Sequence, residues 1–338
     1  MSISIADFPQ VWQKPSSEEL LAYLKRLKVD PPIWSSTTSR KSISETYQNA
    51  AQFRREVATY LSSIIKSNLG WIQDDDEKEA LWDEASRRLS ERCGRAGMGE
   101  ITRRWPFESQ GASPFELIIR EPPITGDCLG LKTWGSSYLL AQQLDKIAAS
   151  SLSHLLQSRQ PDAPLKVLEL GSGTGLLGMA AAAIWGTDVV LTDLPTILPN
   201  LTFNVQRNRQ VIEALDGNVD SGVLVWGSDD DNAELFTKKN QFKIILVADP
   251  LYDDDHPNLL SSTIHEHLAH DKNARAIVMV PQRDATTKRL TTAFRSCMAS
   301  GESGLTVLEE HILVCQDDWD EDEETPEVHC WWAVFGRP

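Results

Sequence analysis

The stretch Val167–Gly178, VLELGSGTGLLG, decides the fold. An apolar run stops at Gly171, glycines recur at 173, 175 and 178, and a second apolar run begins among them. That succession predicts a buried strand, a tight loop and a helix N-terminus. Glycine accepts positive φ and close backbone approach, and the unpaired N–H groups at a helix start favour a bound anion. Gly173–Gly178 also spells GTGLLG, a literal G-x-G-x-x-G of the kind that cradles a dinucleotide pyrophosphate. An ordinary turn between strand and helix would use the same glycines.

Two acidic residues narrow the choice. Asp193 lies 22 residues after Gly171, at the end of the next expected strand, where a carboxylate accepts hydrogen bonds from ribose hydroxyls. NAD and S-adenosylmethionine both carry that ribose, so Asp193 does not separate them. Glu169 stands two residues before Gly171, inside the strand. A fixed carboxylate there repels pyrophosphate and suits an ammonium or sulfonium group. The signal therefore reads as G-x-G-x-G from Gly171, and the match through Gly178 is incidental.

Around this motif the pattern is regular. Strands are expected at Lys166–Leu170, Asp188–Thr192, Gly222–Trp226, Phe242–Ala248 and Ala274–Val280, with helices over about 175–185, 196–215, 257–269 and 286–299. Upstream, FELIIRE (Phe115–Glu121) is a further strand, and a helix opens near Ser136 or Ser137. Strands alternating with helices mean a parallel sheet with right-handed crossovers. The end departs from this: LTVLEEHILV and VHCWWAVFG have no helix between them, only the acidic run Asp317–Glu327, a solvated linker. Those two strands must pair antiparallel or belong to different sheets.

Residues 1–112 read differently, as a helical extension. Ser16 and Glu19 make a capping box before ELLAYLKRL. A longer helix is expected over Ile43–Ser67, ended by Asn68 and Gly70, and a third over Glu77–Cys93. PPIW (Pro31–Trp34) breaks the pattern, and the segment from Gly94 to Pro114 reads as loop. The expected division is an extension, 1–112, available for substrate recognition or simple packing, and a catalytic unit, 113–338.

Composition excludes several classes. The 338 residues are 41% apolar and 24% charged, ordinary for a globular protein. The net charge of −16 argues against a broad nucleic-acid surface, which needs clustered Lys and Arg, and allows a basic partner. Solubility explains the charge equally well. Cys93, Cys128, Cys297, Cys315 and Cys330 form no C-x-x-C pair, so neither a zinc knuckle nor a disulfide framework is expected. In HEHLAH, Ala269 occupies the place of a zincin's second histidine, and no metal site is expected. No signal peptide and no run of about 18 apolar residues is present. A reducing intracellular compartment is expected, the cytoplasm, with the nucleus open.

VLELGSGTGLLG resembles motif I of the seven-β-strand, class I S-adenosylmethionine-dependent methyltransferases. LKTWGSSYLLAQQL, VVLTDLP, LTFNVQRN, LVWG and VADPLYDDDHP, in this order, are similar to segments of the family-16 protein-lysine methyltransferases, the last fitting their D-x-x-Y motif with Asp249 and Tyr252 in place. The resemblance covers about Phe115 to Phe335. It implies an α/β fold with a seven-stranded, mostly parallel, Rossmann-like sheet and an antiparallel C-terminal hairpin. It implies S-adenosylmethionine as cofactor, S-adenosylhomocysteine as product, and a protein substrate. The FPQVWQKP opening resembles fungal members that methylate translation elongation factors. Cofactor contacts are implied at Trp134, Glu169, Gly171, Ser172, Gly173, Asp193, Leu194, Trp226 and Ala248, with Asp193 on the ribose and Trp226 beside the adenine. Core packing is the other reading of Trp134 and Trp226.

The chemistry is an in-line methyl transfer from sulfonium to nitrogen, and alignment is most of the task. The amine must be neutral. For a lysine of pKa about 10.4 this costs roughly 4–5 kcal/mol at pH 7. A dry aromatic slot lowers that pKa, and Tyr252 is its candidate wall. Asp249 either orients the amine or holds the cofactor's amino group. Asp253–Asp255 add negative charge at the mouth. A small-molecule, histidine or arginine methyltransferase, a non-catalytic relative and an NAD-dependent oxidoreductase remain as alternatives.

Overall fold

The structure is a computed structural model that describes residues 5–28, 53, 55–92, 99–109, 113–123, 128–157, 165–228, 236, 238–300, 304–316 and 327–337. The chain divides into two compact units, with the break between Ile101 and Thr102.

The first unit is helical. Helix α1 (Ser17–Arg26) starts at Ser16, whose Oγ accepts the Glu19 N–H at 3.2 Å, the Ser16 half of the expected box. Helix α2 is described over residues 55–66, and the start of the expected Ile43–Ser67 helix lies outside the described residues, as does the PPIW break. Helix α3 (Asp75–Ser90) is capped by Asp74. Their apolar stripes meet in a core of its own that includes Leu20, Leu24, Val57, Leu61, Ile64 and Leu81. Buried polar ends are tied to backbone: Tyr60 Oη donates to Pro9 O at 3.0 Å and Trp71 Nε1 to Pro15 O at 2.8 Å.

The second unit begins with a pair of strands, of which the sequence showed only the second. Strand β1 (Ile101–Phe107), in the segment read as loop, pairs with β2 (Phe115–Glu121), the expected FELIIRE strand, in a two-stranded sheet. The alternation is present, with Arg103, Trp105 and Phe107 buried, but Arg-Arg and Pro106 disguise it. Proline is tolerated there because an edge strand need not donate at every residue. The segment near Ser136 folds as three short helices rather than one: α4 (Gly135–Ala141), α5 (Leu144–Ala149) and α6 (Ser153–Leu156).

The main sheet comprises β3 (Lys166–Leu170), β4 (Asp188–Asp193), β5 (Asn218–Val223), β6 (Ile244–Ala248), β7 (Arg275–Gln282), β8 (Thr306–Gln316) and β9 (Glu327–Gly336). Their order is β5-β4-β3-β6-β7-β9-β8. The first five run parallel, and β9 enters antiparallel between β7 and β8. This is the seven-stranded, mostly parallel sheet with the antiparallel terminal pair that the resemblance implies. The acidic run between β8 and β9 lies outside the described residues apart from the Glu327 backbone. Helices α7 (Leu176–Trp185), α8 (Leu198–Glu213), α9 (His256–His267) and α10 (Ala285–Ala299) fill the expected intervals. Helix α7 is buried almost all round, which its Ala180–Ala183 run makes possible at close range.

Strand β5 lies earlier than expected. Leu224 still donates its N–H to Asp193 O of β4 at 3.2 Å, but Leu224, Val225 and Trp226 line the cavity, and Leu224 and Trp226 also pack on the core. NVDSGV, which forms the strand, sits at the sheet edge and pairs only with β4, so it needs little apolar character.

Candidate active site

The site lies at the carboxyl ends of the parallel strands, where ligands bind in open α/β sheets. Strand β3 runs into a loop in which Gly171, Gly173 and Gly175 have φ of +65°, +56° and +86°. A side chain at these positions would be strained and would intrude: a Cβ on Gly171 would stand 3.3 Å from Trp226 Cζ2, and one on Gly173 3.1 Å from Gly130 O. The loop is pinned to β4, since Ser172 N donates to Thr192 O at 2.9 Å and Thr192 N to Ser172 Oγ at 3.0 Å. Asp193 accepts Gly173 N and Leu194 N on its two carboxylate oxygens, each at 2.7 Å. Burial raises its pKa above the ordinary carboxylate value, and those two bonds oppose the rise.

Glu169 is 2% exposed and lies beneath the loop. Burial pushes its pKa up to about 8, against the opposing bonds from Ser172 and the Gly178 N–H. Gly178 is therefore not incidental. Its N–H donates to Glu169 Oε2 at 3.1 Å, and a Cβ there would stand 2.1 Å from Leu191 Cδ2 and 2.5 Å from that carboxylate oxygen. The glycine is required by space inside α7, which a motif read by spacing alone cannot reveal.

A cavity of about 490 Å³ opens over the loop, within the size range of small-molecule and cofactor sites. All of the sequence-derived candidates line it: Trp134, Glu169, Gly171, Ser172, Gly173, Asp193, Leu194, Trp226, Ala248, Asp249 and Tyr252. Trp226 sits in a turn just past β5, with Gly227 at φ +76°, and its ring meets His256 edge-on at 5.8 Å. Trp134 caps the start of α4 and is tied by Nε1 to Leu129 O at 3.1 Å. Neither tryptophan is a plain core residue.

At the inner end of the cavity, Asp249 follows β6 with φ +55° and is 5% exposed. Its carboxylate is not free to choose partners. Arg283 Nη1 donates to Oδ1 at 3.1 Å and Nη2 to Oδ2 at 2.6 Å, and Ser136 Oγ adds a longer bond of 3.3 Å to Oδ2. Tyr252 stands over Trp134 with ring centroids 6.0 Å apart. Although 41% of Tyr252 is exposed, its hydroxyl pKa is held well above the usual value, first by burial and then by the Asp249 charge. The charge expected from Asp253–Asp255 is partly cancelled, because Arg289 pairs with Asp254 at 2.5 Å.

Several residues of the site were not legible. Lys132, 1% exposed, places Nζ 4.8 Å from the Trp134 ring centre. Thr133 and Thr174 join by their hydroxyls at 2.7 Å, linking the segment before α4 to the glycine loop. Arg283 stands at the carboxyl end of β7, directly before the Asp284 cap of α10. It is not among the residues that line the cavity and reaches it through Asp249.

Asparagines of α8 hold β2 in place. Asn208 exchanges both backbone bonds with Ile118, at 2.7 and 2.9 Å. Asn204 does the same for Arg120, at 2.9 and 3.1 Å, and also donates to Thr174 O at 3.0 Å. Spaced four apart on one helix face, they act as a substitute strand for the β2 edge.

Comparisons with known proteins agree with this architecture. A family model described as lysine methyltransferase matches residues 113–296. The chain is 31% identical over 274 residues to the protein-lysine N-methyltransferase rrg1 of Schizosaccharomyces pombe, covering 80% of each. It is 32% identical over 271 residues to the protein-lysine N-methyltransferase EFM2 of Saccharomyces cerevisiae, covering 77% of this chain and 61% of that protein. It is also similar, at 27% identity, to the protein N-terminal and lysine N-methyltransferase EFM7 of Candida glabrata, covering 62% of this chain and 75% of that protein.

Proposed function

The chain belongs to the lysine methyltransferase family, and we propose that its cavity holds S-adenosylmethionine over the glycine loop and admits a protein lysine between Tyr252 and Asp249. By family it is an S-adenosylmethionine-dependent protein-lysine N-methyltransferase that releases S-adenosylhomocysteine. The observation that carries the site assignment is the convergence of all the candidate residues on one cavity at the strand ends.

In this reading the Gly171–Gly173 backbone and Ser172 cradle the amino-acid end of the cofactor, with Glu169 supplying a carboxyl group beneath it. Asp193 turns from Gly173 and Leu194 to the ribose hydroxyls. Trp226 and Leu194 flank the adenine, and Trp134 and Ala248 close the wall toward the methyl group. When bound, the cofactor supplies a methyl group on a sulfonium. Tyr252 excludes water from the incoming side chain, and Asp249 orients its amine.

The substrate we assign is a protein with an exposed lysine, and a translation elongation factor is the class the fungal resemblance favours, in the cytoplasm. Residues 1–112 serve its recognition. Two observations support that role. The first unit has its own core, with Trp12 78% exposed on its surface. The 80% of this chain covered by rrg1 is also more than residues 113–338 contain, so the likeness reaches into the extension.

The decisive experiment is transfer of labelled methyl to lysate proteins, with the acceptor residue mapped by mass spectrometry. Methyl-lysine on an elongation factor is the expected result. Label on arginine, histidine or a small molecule would overturn the substrate class. Trp12→Ala should raise KM for that acceptor and leave cofactor affinity unchanged.

A further inference from the structure

Arg283 and Asp249 form a two-pronged ion pair at the inner end of the proposed lysine slot, with their side chains 23% and 2% exposed. The position of Arg283 is heavily constrained. Gln282 before it ends β7, and Asp284 after it caps α10 with a reciprocal bond to Thr287. Its guanidinium carbon lies 5.1 Å from the centre of the Trp134 ring. Asp249 is fixed from the other side, its N–H donating to Met279 O at 2.9 Å in the left-handed region. Such backbone strain in a non-glycine residue persists only where the surroundings impose it.

The charge balance gives this pair a chemical meaning. A lone carboxylate at the end of the slot would bind the target lysine as an ammonium and favour its protonated form. Methyl transfer needs the opposite, a nitrogen with its lone pair free. We propose that Arg283 is a positioning residue that cancels the Asp249 charge, so that the slot accepts the lysine as a neutral amine while Asp249 still offers it a hydrogen-bond acceptor. This rests on the lysine methyltransferase reading above. Oδ2 accepts from both Arg283 Nη2 and Ser136 Oγ, whereas Oδ1 accepts from Arg283 Nη1, so Oδ1 is the oxygen that offers a second lone pair to the amine.

The step balances. The ammonium loses its proton to water on entry. The nitrogen lone pair forms the new N–C bond while the S–C bond breaks, with its electron pair passing to sulfur, and the product leaves as a methylammonium.

The other titratable or charged groups around the pair are Tyr252 and His256 after β6, Glu169 and Asp193 at the ends of β3 and β4, Lys132 before α4, and Asp284 beside Arg283. Burial holds Glu169 and Asp193 toward their neutral forms. Asp249 is therefore the carboxylate that Arg283 is built to meet.

The test is the pH profile of kcat/KM for methyl transfer from labelled S-adenosylmethionine to lysate acceptor protein, for wild type, Arg283→Gln and Arg283→Lys. Arg283→Gln should move the midpoint of the alkaline rise upward by about one pH unit or more. Arg283→Lys keeps the charge without the fork and should fall between the two. Calorimetric affinity for S-adenosylhomocysteine should stay within about twofold in both variants, a readout that a general collapse of the cavity would fail. An unshifted midpoint in Arg283→Gln, whatever its rate, overturns the proposal. If that variant does not fold, Arg283→Met, which also removes the charge, takes its place, and an unshifted midpoint there overturns the proposal. A wild type that transfers no methyl to any protein removes the activity reading and this inference together, whereas an active wild type with Arg283-independent midpoints removes only the inference.

Discussion

The Gly178 N–H donates to Glu169 Oε2 at 3.1 Å, from a helix position where any side chain would collide with that oxygen. The bond joins the first turn of α7 to the strand beneath the glycine loop, and it sets how the loop rests on its carboxyl group.

Gly178→Ala should be destabilising, although alanine is the better helix former. The added Cβ meets Leu191 Cδ2 at 2.1 Å and Glu169 Oε2 at 2.5 Å. Overpacking of this kind costs about 1–3 kcal/mol. Chemical denaturation should show the loss and calorimetry a weaker affinity for S-adenosylhomocysteine. A variant as stable as wild type would mean that α7 and β4 have slack there.

Glu169 makes stability depend on pH. Its folded pKa of about 8 lies above the ordinary value of 4.5. Between those two pH values the folded state holds more protons than the unfolded one, so the unfolding free energy falls as pH rises. The stability linked to Glu169 is full below about 4.5 and is lost through about 8. Glu169→Gln removes the titration while keeping an acceptor for Gly178. Melting of the cofactor-free protein should show the variant gaining on wild type across that window and no further above it. A constant difference would place the titration elsewhere. In wild type at neutral pH, binding of the cationic cofactor should release a proton, seen as a heat that varies with the ionisation enthalpy of the buffer.

Asn204→Ala should loosen β2 and the glycine loop together. It strips the Arg120 N–H of its partner, takes one of the two asparagine donors from the Arg120 carbonyl, and removes the donor to Thr174 O. Unsatisfied buried groups of this kind cost about 1–3 kcal/mol. Hydrogen exchange should quicken at Arg120 and in the glycine loop. Exchange that quickens only at Arg120 would show that Asn204 does not couple the two.

Trp226→Ala tests the adenine wall. Loss of a stacked aromatic face costs about 1–3 kcal/mol per base. Affinity for S-adenosylhomocysteine should therefore fall roughly tenfold or more. Unchanged affinity would return Trp226 to a packing role against Leu224 and the core.

Much of this molecule follows from local pattern. VLEL before the glycines, the four-residue periodicity of α8 and the missing helix between the last two strands are each written in consecutive residues. They dictate strand, helix and antiparallel pair without reference to the rest of the chain. Of the site candidates, Glu169, Asp193 and the glycine loop came from spacing and the others from the resemblance; they line one cavity because strand ends in a parallel sheet converge on one rim. Strand β1 and the true position of β5 were not legible. Arg103, Arg104 and Pro106 mask an alternation that matters only once β2 lies beside it, and Leu224–Trp226 owe their apolar character to the cavity that they line past the end of β5.

The sequence by itself determined the order of elements, the class of sheet and the glycine loop, because backbone propensity and hydrophobic period act over a few residues. Only the tertiary structure decided the pairing of Asp249 with Arg283 across 34 residues, the asparagine edge on β2, and the need for Gly178. Those depend on which atoms meet in space. A carboxylate's partner and the room around a Cβ are fixed by distance through the core, and separation along the chain carries no record of it.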